Sequence, residues 1–164
     1  VTGTPLAEAG WLRFAGALLV DERGRYLLQR RDDRPDILHP GALGLFGGGL
    51  EAGESADEAI RRELAEEIGL VPGDLAPFRT VRLPVRRPGG SVMMAAIALF
   101  EGSVAADDVA TLTQREGAGR VLMPPALLLL EDRVALSARI GIALHAQEAL
   151  VPAAPTAEVL RWSA

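Results

Sequence analysis

The chain has 164 residues, 49% of them hydrophobic, no cysteine and a formal net charge of −5. That suffices for one domain with a substantial core, and it excludes disulfide stapling and thiol catalysis. An acidic balance with pI near 5.1 argues against a general nucleic-acid surface, although a focused basic patch can still hold a small polyphosphate.

Taken in chain order, Leu12 to Val20 and Tyr26 to Arg30 read as strands joined by the Asp21-Glu22-Arg23-Gly24-Arg25 turn. A glycine-dense stretch, Gly41 to Gly49, then leads to Ser55, which forms a capping box with Glu58 and predicts a helix starting near Ala56. Ile60, Leu64 and Ile68 make the buried stripe of that helix, and Gly69 supplies its left-handed stop. Strands are expected near Phe78 to Val85 and Val92 to Phe100 around the Arg87-Pro88-Gly89-Gly90 turn. A short strand at Arg120 to Met123 meets Pro124-Pro125, which start a helix through Leu130; Arg133 to Leu150 reads as the final helix. The order is mixed and fits a mixed sheet between helices. Residues 1–164 read as one domain, with 152–164 as an extended tail in which Ala157 to Trp162 forms a short docking segment, on the core or on a second subunit of a homodimer.

The chemistry concentrates between Gly48 and Leu70. Glu63, Glu66 and Glu67, at i, i+3 and i+4, emerge together beside the apolar stripe. Carboxylates so close raise one another's pKa unless a cation sits among them, and oxygen-only ligands suit Mg²⁺, with Mn²⁺ as a substitute. Glycines at 47 and 48 let backbone approach a ligand directly ahead of the helix.

Gly48, Glu54, Arg62, Glu63, Leu64, Glu66, Glu67, Gly69 and Leu70 fill the pattern G-x5-E-x7-R-E-U-x-E-E-x-G-U, with U apolar. A random chain of this length would match it on the order of once in ten million. The segment resembles the signature of Nudix hydrolases; one departure is Phe46, where relatives usually have Pro. The resemblance implies an α/β fold, the Nudix-type α/β/α sandwich with a mixed sheet, and hydrolysis of a diphosphate bond. The substrate class it implies is a nucleoside diphosphate linked to another group: a nucleotide sugar, ADP-ribose or a nucleoside triphosphate. It also implies a metal shell drawn from Glu63, Glu66, Glu67 and a carbonyl at Gly47 or Gly48, completed by Glu116 on a downstream acidic loop. Glu101, Asp107 and Asp108 are rivals for that last place. Glu63 is either a third ligand or the base for the attacking water, and Arg62 orients the glutamates. Glu54, Leu64, Gly69 and Leu70 serve the motif structurally.

For substrate, Arg30 and Arg31 match a place where relatives put phosphate-binding arginines, and strand alternation points only one of them at the site. Gly47 is a third candidate contact. Arg82, Arg86 and Arg87 form a second basic group. The implied partner is a small nucleotide-type molecule, with neither a nucleic-acid polymer nor a membrane; the longest apolar run, Val92 to Phe100, is too short to span a bilayer. The beginning lacks a basic segment leading into a long apolar one, and the expected location is cytoplasmic. Two other classes share the fold. An isomerase needs a thiol that this chain lacks, and a non-enzymatic nucleotide sensor normally shows an eroded motif.

Overall fold

The computed structural model describes residues 10–128 and 130–150; the expected tail after Pro152 lies outside them. The elements run β1 (Leu12–Val20), β2 (Tyr26–Arg30), β3 (Leu43–Gly44), α1 (Ala56–Glu67), β4 (Ala76–Arg86), β5 (Val92–Ser103), α2 (Ala106–Thr111), β6 (Gly119–Met123), α3 (Pro125–Leu128) and α4 (Leu136–Leu150).

The strands form one mixed sheet in the order β3-β2-β1-β5-β4, with β6 also on β2. β1 runs parallel to β5 along its whole length, from Leu12 opposite Ala95 to Val20 opposite Ser103. The β1–β2 turn expected from sequence is present, but it pairs only Leu19 with Leu27 and Val20 with Tyr26. Leu27 faces Leu19 on one edge and Leu122 on the other, and Gln29 faces Gly44 and Arg120. β1 and β3 therefore share one edge of β2, and β6 takes the other.

Alternation along the strands divides the apolar residues into two cores. Leu19, Leu27 and Phe100 pack with Ile60, Leu64 and Ile68 of α1, whereas Leu18, Leu28 and Leu99 pack with Ala138 and Ile142 of α4. The result is the expected α/β/α sandwich. α1 begins as predicted: Glu58 N–H donates to the Ser55 hydroxyl and Ser55 N–H to Glu58 Oε2. It ends at Ile68, followed by Gly69 at φ +68°, which favours glycine. Leu70 then packs on the α1-side core. α4 is fastened by His145, whose Nδ1 meets the Tyr26 hydroxyl at 2.8 Å and whose Nε2 meets Glu101 Oε2 at 3.0 Å.

The structure corrects three details. α4 starts at Leu136, not Arg133, because residues 133–135 are held extended beside Leu43: Leu43 N–H donates to the Arg133 carbonyl and Ala135 N–H to the Leu43 carbonyl, both at 2.8 Å. α3 stops at Leu128, not Leu130; the Arg139 guanidinium takes the Leu128 and Glu131 carbonyls and ties down the connection to α4. β3 and α2 were not expected from sequence.

Candidate functional site

Arg62 organises the exposed flank of α1. Its Nε and Nη2 grip both oxygens of Glu54 at 2.9 and 3.0 Å, while Nη1 donates to Glu63 Oε1 at 2.9 Å and to Glu66 Oε2 at 3.3 Å. A further bond reaches the Gly49 carbonyl, so the guanidinium joins the turn, the helix and the glycine loop. The Arg62 hydrogen bonds hold the Glu54 carboxyl below its ordinary range. Glu54 thus anchors the Arg62 guanidinium.

The glycine loop runs antiparallel along β1. Ala17 N–H donates to the Phe46 carbonyl and Ala15 N–H to the Gly48 carbonyl, both at 2.9 Å. Phe46 is fully buried in the α1-side core, so the residue that departs from the usual Pro anchors the loop by packing. Gly47 has φ +127°, and a side chain there would run into the backbone of Ala15 and Gly16. Gly48 lies against Glu63, where an added methyl would sit 2.6 Å from the carboxyl carbon. One lone pair of the Gly48 carbonyl is committed to Ala15; the second remains for another partner.

Glu67 is the buried member of the acidic trio, only 4% exposed. Its Oε2 accepts the Gly47 N–H at 2.9 Å and its Oε1 accepts Gln29 Nε2 at 3.1 Å. Burial pushes its carboxyl up to about 7; the two hydrogen bonds oppose this, and the neighbouring Glu63 and Glu116 add to it. Glu63 also lies inward, whereas the Glu66 side chain is 59% exposed. Among the described residues no three acidic or imidazole groups converge closely enough to form a ready cation cage. Glu63 and Glu66 instead share Arg62 Nη1, and Glu67 leans on the Gly47 N–H and the Gln29 amide.

Glu116 sits on the loop before β6. That loop is pinned by Arg115 N–H on the Glu67 carbonyl and Ala118 N–H on the Arg30 carbonyl, both at 2.8 Å. The rivals have other places: Glu101 pairs with His145, and Asp107 and Asp108 lie in the first turn of α2.

Some of these groups line a cavity of about 660 Å³, while Glu54, Arg62 and Glu66 are not part of its wall. Gly47, Gly48, Glu63, Glu67 and Glu116 share it with Gln29, Arg31, His39 and an aliphatic wall of Leu45, Leu83, Val85 and Ile97. Gln29 and Arg31 alternate onto the cavity side. Arg30 falls on the other side, is exposed, and donates to the Gly41 carbonyl at 3.2 Å. Arg31 donates Nε to the Leu38 carbonyl at 2.7 Å, which holds its guanidinium at the cavity wall. Beside it, burial and the Arg31 charge lower the pKa of His39, which keeps the imidazole neutral near pH 7. Gly47 spends its N–H on Glu67, so any substrate contact there must use its carbonyl or Cα. Arg82 and Arg86 are exposed on β4 and, with Arg87, are not part of the cavity wall.

Neither Gln29 nor His39 is among the site residues expected from sequence. A polar residue ending the buried run Tyr26 to Gln29 was the available signal for the first; nothing local marks the second.

The family model described as NUDIX domain matches residues 12–141. The nucleoside triphosphatase NudI of Salmonella arizonae is 42% identical over 62 residues, covering 37% of this chain and 43% of that protein, and its Salmonella newport counterpart gives the same figures. The chain thus spans less than half the length of these curated relatives. Among solved structures, the MutT protein from Methanosarcina mazei superposes with a TM-score of 0.68 at 24% identity, over 85% of this chain and 95% of that one. The Nudix domain of Shewanella oneidensis NrtR, solved with ADP-ribose, gives 0.62 at 21% identity, over 92% and 95%. No helix among the described residues is long and apolar enough to cross a membrane.

Proposed function

Since this chain belongs to the Nudix family, whose members hydrolyse pyrophosphate bonds and generally use a divalent metal, we propose that it is a Mg²⁺-dependent hydrolase cleaving a diphosphate bond in a nucleoside diphosphate linked to another group. The observation that carries this reading is the buried Glu67 carboxylate, set in a cavity wall between Glu63 and Glu116 on a complete motif. Nucleoside triphosphates are the first substrates to test, because the NudI relatives are nucleoside triphosphatases; nucleotide sugars and ADP-ribose follow.

The donors fit a hard cation. All are oxygens, and a divalent ion would offset both the burial that pushes up the Glu67 carboxyl and the repulsion that Glu63 and Glu116 add to it. Glu63, Glu66, Glu67, Glu116 and the second lone pair of the Gly48 carbonyl would hold it. When bound, Mg²⁺, or Mn²⁺ in its place, would neutralise phosphate oxygens and orient a water for attack. Arg62 grips Glu63 Oε1, so Oε2 is the atom that would ligate or accept the proton of that water. Arg31 would take a phosphate of the substrate chain, and the aliphatic wall would receive the part of the substrate beyond the phosphates.

The purified protein with Mg²⁺ would be screened against normal and oxidised nucleoside triphosphates, nucleotide sugars, ADP-ribose and dinucleotide cofactors, beside a Glu67→Gln control. Turnover that needs both Mg²⁺ and Glu67 supports the proposal and names the substrate class. Tight binding of a nucleotide without turnover in Mg²⁺ or Mn²⁺ would replace it with the sensor reading.

A further inference from the structure

Two amide side chains converge on the Glu116 carbonyl, Gln29 from β2 and Gln114 from the Glu116 loop itself, and the metal site proposed above gives neither a role. Gln29, 3% exposed, donates from Nε2 to Glu67 Oε1 at 3.1 Å and to the Glu116 carbonyl at 3.3 Å. Gln114 donates from its Nε2 to the same Glu116 carbonyl at 2.6 Å and to the Gly119 carbonyl at 2.9 Å. Both amides are oriented by these acceptors: turning either one over would place its oxygen against a carbonyl. Gln114 keeps this orientation although its own Oε1 is buried with no hydrogen-bond partner among the described residues, a cost that the two bonds from its Nε2 must offset.

We infer that Gln29 and Gln114 are positioning residues for the Glu116 loop, Gln29 clamping it to Glu67 through the Glu116 carbonyl and Gln114 bracing it from within, so that the two carboxylates meet one divalent cation. The inference rests on the metal site proposed above. Backbone bonds from Arg115 and Ala118 pin the loop on either side of Glu116, and the two amides pin it at Glu116 itself. The choice of residue type follows from charge. A lysine or arginine at position 29 would satisfy Glu67 but would neutralise it and repel an incoming cation. An amide supplies the donors and leaves the negative charge for the ion. Groups that orient metal ligands in this way are worth about 10- to 100-fold in metal affinity or activity.

The test is Mn²⁺ binding to metal-free protein, read from the electron paramagnetic resonance signal of free Mn²⁺, with thermal melts to establish folding. Gln29→Met, of similar volume but without donors, is expected to bind Mn²⁺ about 10- to 100-fold more weakly. Gln114→Ala should also weaken binding, and should add nothing in a Glu116→Gln background, because it acts through that loop. Wild-type affinity in both folded amide variants would overturn the inference, as would an equal effect of Gln114→Ala with and without the Glu116 carboxylate. If Gln29→Met does not fold, the Gln114 series decides. Glu67→Gln separates the two levels: binding lost there but kept in the amide variants rejects the clamp alone, while binding kept in Glu67→Gln rejects the metal site and the clamp together.

Discussion

At the scale of single residues, Arg62 is a planar fork whose donors serve Glu54, Glu63, Glu66 and the Gly49 carbonyl at once. Lysine carries the same charge without that geometry. Arg62→Lys should therefore lower kcat by about 10- to 100-fold while the protein stays folded. Glu54→Gln, which weakens the anchor of the guanidinium, should cost less, and the double variant should be no worse than Arg62→Lys alone because both act on one network. Additive losses in steady-state kinetics would show that Glu54 and Arg62 act separately. Gly48 offers an independent probe. A methyl there would press on the Glu63 carboxyl, so Gly48→Ala should reduce turnover by about tenfold or more with little change in melting temperature. Near-normal turnover would mean that Glu63 can move without consequence.

At the scale of elements, the turn between β1 and β2 is built on Asp21, whose side chain is fully buried. It accepts N–H bonds from Arg23 at 3.0 Å and Arg25 at 2.8 Å, and Arg25 Nε at 2.7 Å. Burial alone would raise the Asp21 pKa, but these bonds together lower it below 3.8. A carboxyl depressed on folding stabilises the protein fully above its unfolded value, and that contribution fades as pH falls through the folded value. Asp21→Asn should thus cost about 2 kcal/mol near neutrality and flatten the acid limb of stability below about pH 4. Parallel acid limbs for wild type and variant, measured by denaturant melts, would reject this account. The same turn shows what local sequence can reveal. Asp21 to Arg25, the Ser55–Glu58 box, the Ile60, Leu64 and Ile68 stripe and the Gly69 stop all act within a few residues, and all were readable. The parallel pairing of β1 with β5 was not, because no local pattern selects a partner so distant in sequence. Residues 133–135 carry helical periodicity, yet hydrogen bonds to Leu43 hold them extended. α2 lacks a side-chain cap to announce it. In the site, the acidic trio was legible from spacing. The burial of Glu67 and its bond to Gln29, 38 residues away, depend on the assembled sheet.

At the scale of the whole molecule, the candidate metal ligands come from parts of the chain that the fold alone brings together. The Gly48 carbonyl hangs on β1, Glu63 and Glu67 lie on α1 between the sheet and solvent, and Glu116 leads into β6 at the far edge of β2. An unfolded chain offers no such convergence, so a cation held there binds the folded state and stabilises it by mass action. At a hundredfold excess over Kd the gain is about 2.7 kcal/mol, which for a domain of this size corresponds to a rise in Tm of about 5 to 10 °C. Because burial and the charges of Glu63 and Glu116 oppose ionisation of Glu67 in the metal-free protein, part of that gain is relief of a strain already present. Melting curves in chelator and in saturating Mg²⁺ should therefore separate for the wild type and draw together for Glu67→Gln. A wild-type Tm that does not respond to Mg²⁺ or Mn²⁺ at any concentration would mean that these carboxylates do not share an ion. An equal response in Glu67→Gln would place the ion elsewhere in the fold.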